Sequence, residues 1–311
     1  DKSKINIFPA ATLTKNTEGK QMTEFGLLKR KGIVAFTDGL KTVQDPQVML
    51  RIMSFARQSD SLIMQHAEDN ILSKDGLINE GEISTRLGLK GIPFLAEKII
   101  VERDLSFLEE YFCRYHISQI SSEKTVAIIK KAKEEGKNFT AGVSINNLAL
   151  NENDIGDFKT FLKLSPPLRT EKDRQALVQG INDNVINVIV SDHKPEDEES
   201  KRLTFSKAAT GATGVETLLS LALELFHNKS IKLNKLIACI TSNPAKILGI
   251  DKGSLQRGKD ADLCIVDVNK PWVVKKDKLR SKSKNTPVEN RKLQGQVSKT
   301  FVKGELSYER V

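Results

Sequence analysis

The chain has 311 residues, 39% hydrophobic and 29% charged, the balance of a soluble globular protein and not of a disordered or fibrous one. It contains no run of about 18 apolar residues, which excludes a helical membrane span, and its three scattered cysteines exclude a disulfide framework and a CxxC metal motif. The net charge of +9 reads first as lysine enrichment of a solvated surface, with a basic face for an acidic partner or anionic substrate as the sharper reading.

Asp1 to Phe8 has neither the charged region nor the apolar stretch of a signal peptide, which points to the cytoplasm. Gly32 to Phe36 reads as a buried strand ending at Thr37-Asp38-Gly39, and Gln47 to Gln58 has apolar residues near helical spacing. Ser61 to Gln65 is the next strand and delivers His66. Ile92 to Val101 opens a helix with Pro93 in its first turn. Arg114 to Ile120 reads as a strand, Ser122 to Glu135 as a helix stopped by Gly136, and Asn138 to Val143 as a strand. Glu171 to Asp183 is a helix, and Val185 to Val190 is a buried strand that delivers Ser191-Asp192-His193.

Continuous β-branched runs alternating with helices predict a parallel sheet under helical cover. Polar residues at several strand ends predict a (β/α) barrel with its site at the carboxyl ends of the strands. From Gly253 the pattern changes to turns and alternating strands, with a closing hairpin from Gly295 to Tyr308. Residues 1–251 are therefore expected to form the barrel and 252–311 a small β domain. Cys113, Cys239 and Cys264 sit among apolar residues and read as core positions.

Only four histidines occur: His66, His116, His193 and His227. His66 at a strand end, followed by Glu68 and Asp69, suits a divalent metal at the barrel mouth, since imidazole is a favoured Zn²⁺ ligand that carboxylates can orient. A lone histidine there is a packing residue about as often. Asp192 ends the last strand, where an aspartate can bind metal and take a proton from water. The plainer reading of Asp192 is a helix N-cap.

Several segments together are more specific: Phe8 to Gly19, Ala35 to Val43, His66 to Asp69, Asn79 to Leu89, Ser165 to Asp173, Ser191-Asp192-His193, Thr213 to Thr217 and Ser283 to Pro287. In order and spacing they resemble class I dihydroorotases of the amidohydrolase superfamily over essentially the whole chain. The resemblance implies a TIM-type (β/α)₈ barrel with a small β appendage, one or two zinc ions, and reversible conversion of dihydroorotate to N-carbamoyl-aspartate in pyrimidine synthesis. It implies His66, Asp38 and Asp192 as metal ligands, Asp192 also as general base, and Ser165, Asn147 and Glu196 as substrate-contacting positions. A homodimer or larger assembly follows by the same analogy, with no nucleic-acid or membrane partner.

The sequence departs from that family at several places. No HxH pair occurs, so the chain is expected to lack the first barrel strands, roughly 60 residues of βα structure. Gln119 stands where the family has a metal-binding histidine, and an amide oxygen is a poor zinc donor. His116, upstream on the same strand, is the candidate replacement. Ser144-Ile145-Asn146-Asn147 replaces TPHH, Ser165 replaces an asparagine, and Glu196 replaces a histidine.

These substitutions leave two readings: a zinc-dependent dihydroorotase with an altered site, or a non-catalytic dihydroorotase-like subunit that scaffolds aspartate carbamoyltransferase. An allantoinase or hydantoinase fits less well, because those sites also need the histidine that Gln119 replaces.

Overall fold

A computed structural model describes residues 3–310. Six parallel strands lie side by side in chain order: Ala10–Ala11, Ala35–Phe36, Leu62–Gln65, Arg114–Ile117, Thr140–Ser144 and Val188–Val190. The register pairs Met64 with His116, His116 with Thr140, and Gly142 with Val188. One further parallel bridge, His193 to Ala212, extends the rim past the sixth strand. Among the described residues this is an incomplete barrel wall, with helices packed on its outer face.

Local chemistry sets the helix starts. Asp45 caps the Pro46–Gln58 helix by accepting from the Gln47 and Val48 amides, at 2.8 and 3.3 Å, and Pro46 fits the first turn. That helix buries Val48, Met49, Ile52, Met53 and Ala56 on one face. Ser122 caps Glu123–Glu134, and Thr170 with Asp173 makes a capping box for Glu171–Asn182. The 18-residue Phe94–Tyr111 helix starts one residue after Pro93.

The strands are shorter than their apolar runs. Gly32 accepts the end of the Phe25–Arg30 helix, its N–H bonding Lys29 O at 2.9 Å, so pairing begins only at Ala35. The Val185 and Ile186 amides bond Gly180 O, closing the preceding helix and delaying the strand to Val188. Beyond Ile117 the chain still follows its neighbours, with Ser118 N bonding Gln65 O at 2.9 Å and Ile120 N bonding Gly142 O at 3.0 Å. Between those anchors Gln119 reaches Asp192.

A separate antiparallel sheet joins Leu263–Val273, Lys292–Val302 and Glu305–Glu309. It is tied to the Leu218–His227 helix through Ser220, whose hydroxyl donates to Gly295 O at 2.6 Å and lies 3.1 Å from Trp272 Nε1. Cys113 and Cys239 are buried, but Cys264 is exposed, contrary to the sequence expectation. It stands on the Leu263–Val273 strand, most of whose residues are exposed.

Candidate active site

His66 follows directly on the Leu62–Gln65 strand and is 2% exposed. Neither ring nitrogen has a hydrogen-bond partner. Burial pushes its pKa down, against the opposing pull of Glu68, Glu97 and Asp192, so the imidazole is neutral at pH 7. Glu68 Oε2 stands 4.0 Å from Nε2, too far for a hydrogen bond.

Asp192 sits two residues past Val190, in the left-handed region at φ 49°. Such a backbone costs roughly 1–3 kcal/mol and persists only where its surroundings hold it. Gln119 Nε2 donates to Oδ1 at 2.9 Å and Ser144 Oγ donates to Oδ2 at 3.0 Å. With a carboxylate as acceptor, the Gln119 amide must present its nitrogen. Burial raises the Asp192 pKa, and the Gln119 bond, the Ser144 bond and His66 pull it back. Four strand ends thus bring together His66, Gln119, Ser144 and Asp192.

Most of the other expected site residues have partners of their own. Asp38 is engaged by Thr14, whose backbone N–H bonds Oδ1 at 3.0 Å and whose hydroxyl bonds Oδ2 at 2.5 Å. It braces the loop after the second strand. His116 is held by Thr140 Oγ1 at 2.7 Å from Nδ1, and burial followed by Lys133 lowers its pKa to about 4. Gln119 lies three residues on and reaches Asp192, so His116 does not take its place. Asn147 Nδ2 donates to Pro167 O at 2.9 Å, pinning the segment that follows the cis Ser165–Pro166 bond. Ser165 itself is half-buried. Glu196 pairs with Lys194 at 3.3 Å and lines an outer cavity of about 790 Å³ shared with Lys201, Lys276, Lys282 and Lys284. Acidic Asp197, Glu198 and Asp277 line the same cavity.

Some rim residues escape a reading by motif. Glu97 is buried and accepts from the Ser121 amide and hydroxyl, and from the Ser122 amide and hydroxyl, at 2.5 to 3.2 Å. Arg169 Nε donates to Ser121 Oγ and Nη1 to Asn79 Oδ1, both at 2.7 Å. The only advance signal for Glu97 is a carboxylate beside Ala96, on the buried face of its helix. Asn146 and Thr213 are also buried, and their side-chain polar atoms lack partners.

Six partnerless buried atoms therefore belong to four rim residues: both nitrogens of His66, both amide atoms of Asn146, Asn147 Oδ1 and Thr213 Oγ1. Each such atom costs roughly 1–3 kcal/mol, so their concentration at one end of the sheet marks a place built for a polar occupant.

A metal centre is a further matter. The free nitrogens of His66 fit one, but both Asp192 oxygens are taken by Gln119 and Ser144, and Asp38 and His116 are committed elsewhere. Among the described residues no group of three His, Cys, Asp or Glu side chains could hold an ion. The donor set present does not fit the zinc centre that the sequence resemblance implies.

Comparison with known proteins places these observations. Residues 14–307 match the amidohydrolase family. The dihydroorotase of Ehrlichia canis (strain Jake) is 41% identical over 305 residues, covering 98% of this chain and 68% of that protein. The dihydroorotase of Syntrophus aciditrophicus (strain SB) is also 41% identical over 305 residues, covering 98% and 72%. Among solved structures, an L-hydantoinase (dihydropyrimidinase) from Arthrobacter aurescens superposes with a TM-score of 0.84 at 24% identity, covering 97% of this chain and 70% of that one. A D-hydantoinase superposes at 0.80 with 21% identity, covering 98% and 70%. At those identities the structures speak for the fold alone, a TIM barrel with an incomplete wall here among the described residues.

Proposed function

The chain belongs to the amidohydrolase family, among its dihydroorotases, and on that premise we propose that its rim site interconverts dihydroorotate and N-carbamoyl-aspartate in pyrimidine biosynthesis. The observation that supports this most directly is Asp192: a buried carboxylate at a strand end, raised in pKa by burial and held in place by Gln119 and Ser144.

In the hydrolytic direction, water adds to a ring amide carbon and the ring carbon–nitrogen bond breaks. Asp192 takes the proton from water and returns it to the departing ring nitrogen. Ser144 and Gln119 fix which oxygen lone pairs face the reacting water. Neutral His66 offers one donor and one acceptor beside it. The buried setting strengthens each of these interactions relative to water.

Metal dependence is general in the family. Among the described residues no matching donor set is assembled, and no step is assigned to zinc.

The proposal is tested by following dihydroorotate loss and N-carbamoyl-aspartate formation with the wild-type chain and Asp192→Asn. Turnover that the substitution abolishes is the expected result. No turnover by the wild type would overturn it.

A second reading takes the Gln119 and Ser144 bonds to Asp192 as purely structural. The chain would then be a non-catalytic subunit scaffolding aspartate carbamoyltransferase. Absent turnover together with co-purification of the transferase would support it. A homodimer or larger assembly belongs to the same proposal and is read from sedimentation.

A further inference from the structure

The segment from Ser118 to Ser122 carries Gln119 to Asp192, and four backbone N–H groups fix it. Two of them bond carbonyls of neighbouring strands: Ser118 N to Gln65 O at 2.9 Å and Ile120 N to Gly142 O at 3.0 Å. The other two bond the two oxygens of one carboxylate, Glu97, with Ser121 N at 2.9 Å from Oε2 and Ser122 N at 3.2 Å from Oε1. Both serine hydroxyls donate to the same carboxylate, and Arg169 Nε donates to the Ser121 hydroxyl at 2.7 Å. Glu97 is 3% exposed, so water competes little for these bonds. Ser122 already caps the Glu123–Glu134 helix through Thr125 N, so that helix has its start without Glu97.

We infer that Glu97 is a positioning residue of the rim: by clamping Ser121 and Ser122 it holds Gln119 Nε2 within hydrogen-bond reach of Asp192. Glu97 acts through Gln119, two residues upstream of the clamp. Its consequence for turnover rests on the proposed reaction, whereas its consequence for the Gln119–Asp192 bond does not. A carboxylate accepts with both oxygens, but an amide turns an NH2 group toward one of the two backbone N–H groups. Glu97→Gln therefore keeps the shape of the side chain and breaks half of the clamp.

The test is the side-chain amide resonance of Gln119 in isotope-labelled protein, assigned by its loss in Gln119→Leu. In the wild type, the amide proton shared with Asp192 is expected downfield of a free primary amide and slow to exchange with solvent. In Glu97→Gln both features are expected to collapse toward free-amide values, and Ser121→Ala, which removes the hydroxyl held by Glu97 and Arg169, moves them the same way. A folded Glu97→Gln with the wild-type resonance overturns the inference, and so does a wild type whose Gln119 amide is already free. If Glu97→Gln does not fold, an unmoved resonance in Ser121→Ala overturns it instead.

Activity separates this route from a direct effect of Glu97 on His66. Glu97→Gln is expected to lower kcat/KM for dihydroorotate at least about tenfold, and to add nothing in a Gln119→Leu background. Additive losses would mean that Glu97 bypasses Gln119 and would overturn the inference. No turnover by the wild type overturns the proposed reaction, and the amide resonance then decides the positioning by itself.

Discussion

Gln119 Nε2 lies 2.9 Å from Asp192 Oδ1, and this hydrogen bond spans the rim between the strand ends that carry the two residues. It holds a buried carboxylate in a strained backbone conformation. It also pulls the Asp192 pKa down, second only in size to the opposing effect of burial.

Replacing Gln119 by leucine removes that downward pull and leaves the burial. The Asp192 pKa is expected to rise, and the acid limb of the rate profile with it, so that activity falls off at higher pH than in the wild type. The check is kcat/KM for dihydroorotate from pH 4 to 9 in both proteins. An unmoved acid limb would remove Asp192 as the titrating base.

Gln119→His alone places an imidazole next to Asp192, while Ser144 still holds the other oxygen. The expected gain in turnover is less than about tenfold, below 1.4 kcal/mol of barrier. A larger gain would show that the one residue governs the site.

The donor set predicts that purified protein carries zinc well below one equivalent per chain, and that dialysis against a chelator leaves its thermal midpoint unchanged. Elemental analysis and calorimetry check this. Near-stoichiometric zinc with a midpoint that drops on chelation would mean that His66 and Asp192 find further ligands and that the Gln119 bond gives way to the ion.

His116 is buried and its folded pKa is lowered from 6.5 to about 4. A base whose folded pKa lies below its unfolded value binds more protons when unfolded. Its contribution to stability is fully present above pH 6.5 and is lost as the pH falls toward 4. The denaturation midpoint should therefore drop between pH 7 and pH 4.5, and His116→Gln should lessen that drop. His66, also lowered in pKa, accounts for part of the remainder. An identical pH dependence in the variant would contradict the assignment.

Two glycines should respond oppositely to alanine. A Cβ on Gly142 would lie 2.5 Å from Ser118 O and 3.0 Å from His116 Nε2, between adjacent strands that cannot spread without breaking their ladder. Gly142→Ala is expected to destabilise by about 1–3 kcal/mol. Gly26 lies in the Phe25–Arg30 helix with open space around it, and Gly26→Ala should stabilise by roughly 0.5–1 kcal/mol. Urea midpoints of the two variants read both effects.

The fold was legible because its signals are local. The helix over Gln47 to Gln58 was legible from its apolar spacing, while the Asp45 cap with Pro46, and the Thr170 capping box of the Glu171–Asn182 helix, came only with the structure. Buried parallel strands show as short β-branched runs, although neighbouring helices borrow their first residues, as Val185 and Ile186 illustrate. His66 and Asp192 were visible as candidates because each falls at the end of such a run. Ser144 was noted only as a departure from a family pattern. Its bond to Asp192 joins residues 48 positions apart, and no spacing rule reaches that far.

By itself, then, the sequence determined the element types, their parallel order and the end of the sheet where the polar residues would gather. Periodicity, capping and the direction of the chain are properties of neighbouring residues, and they survive without knowledge of the rest. Only the tertiary structure decided which polar groups are spent and which are free. Asp38 is spent on Thr14, His116 on Thr140 and Asn147 on Pro167, whereas Asn146 and both nitrogens of His66 remain without partners. Hydrogen-bond satisfaction depends on distances between distant segments packed to within a few tenths of an ångström, and those distances exist only once the chain has folded.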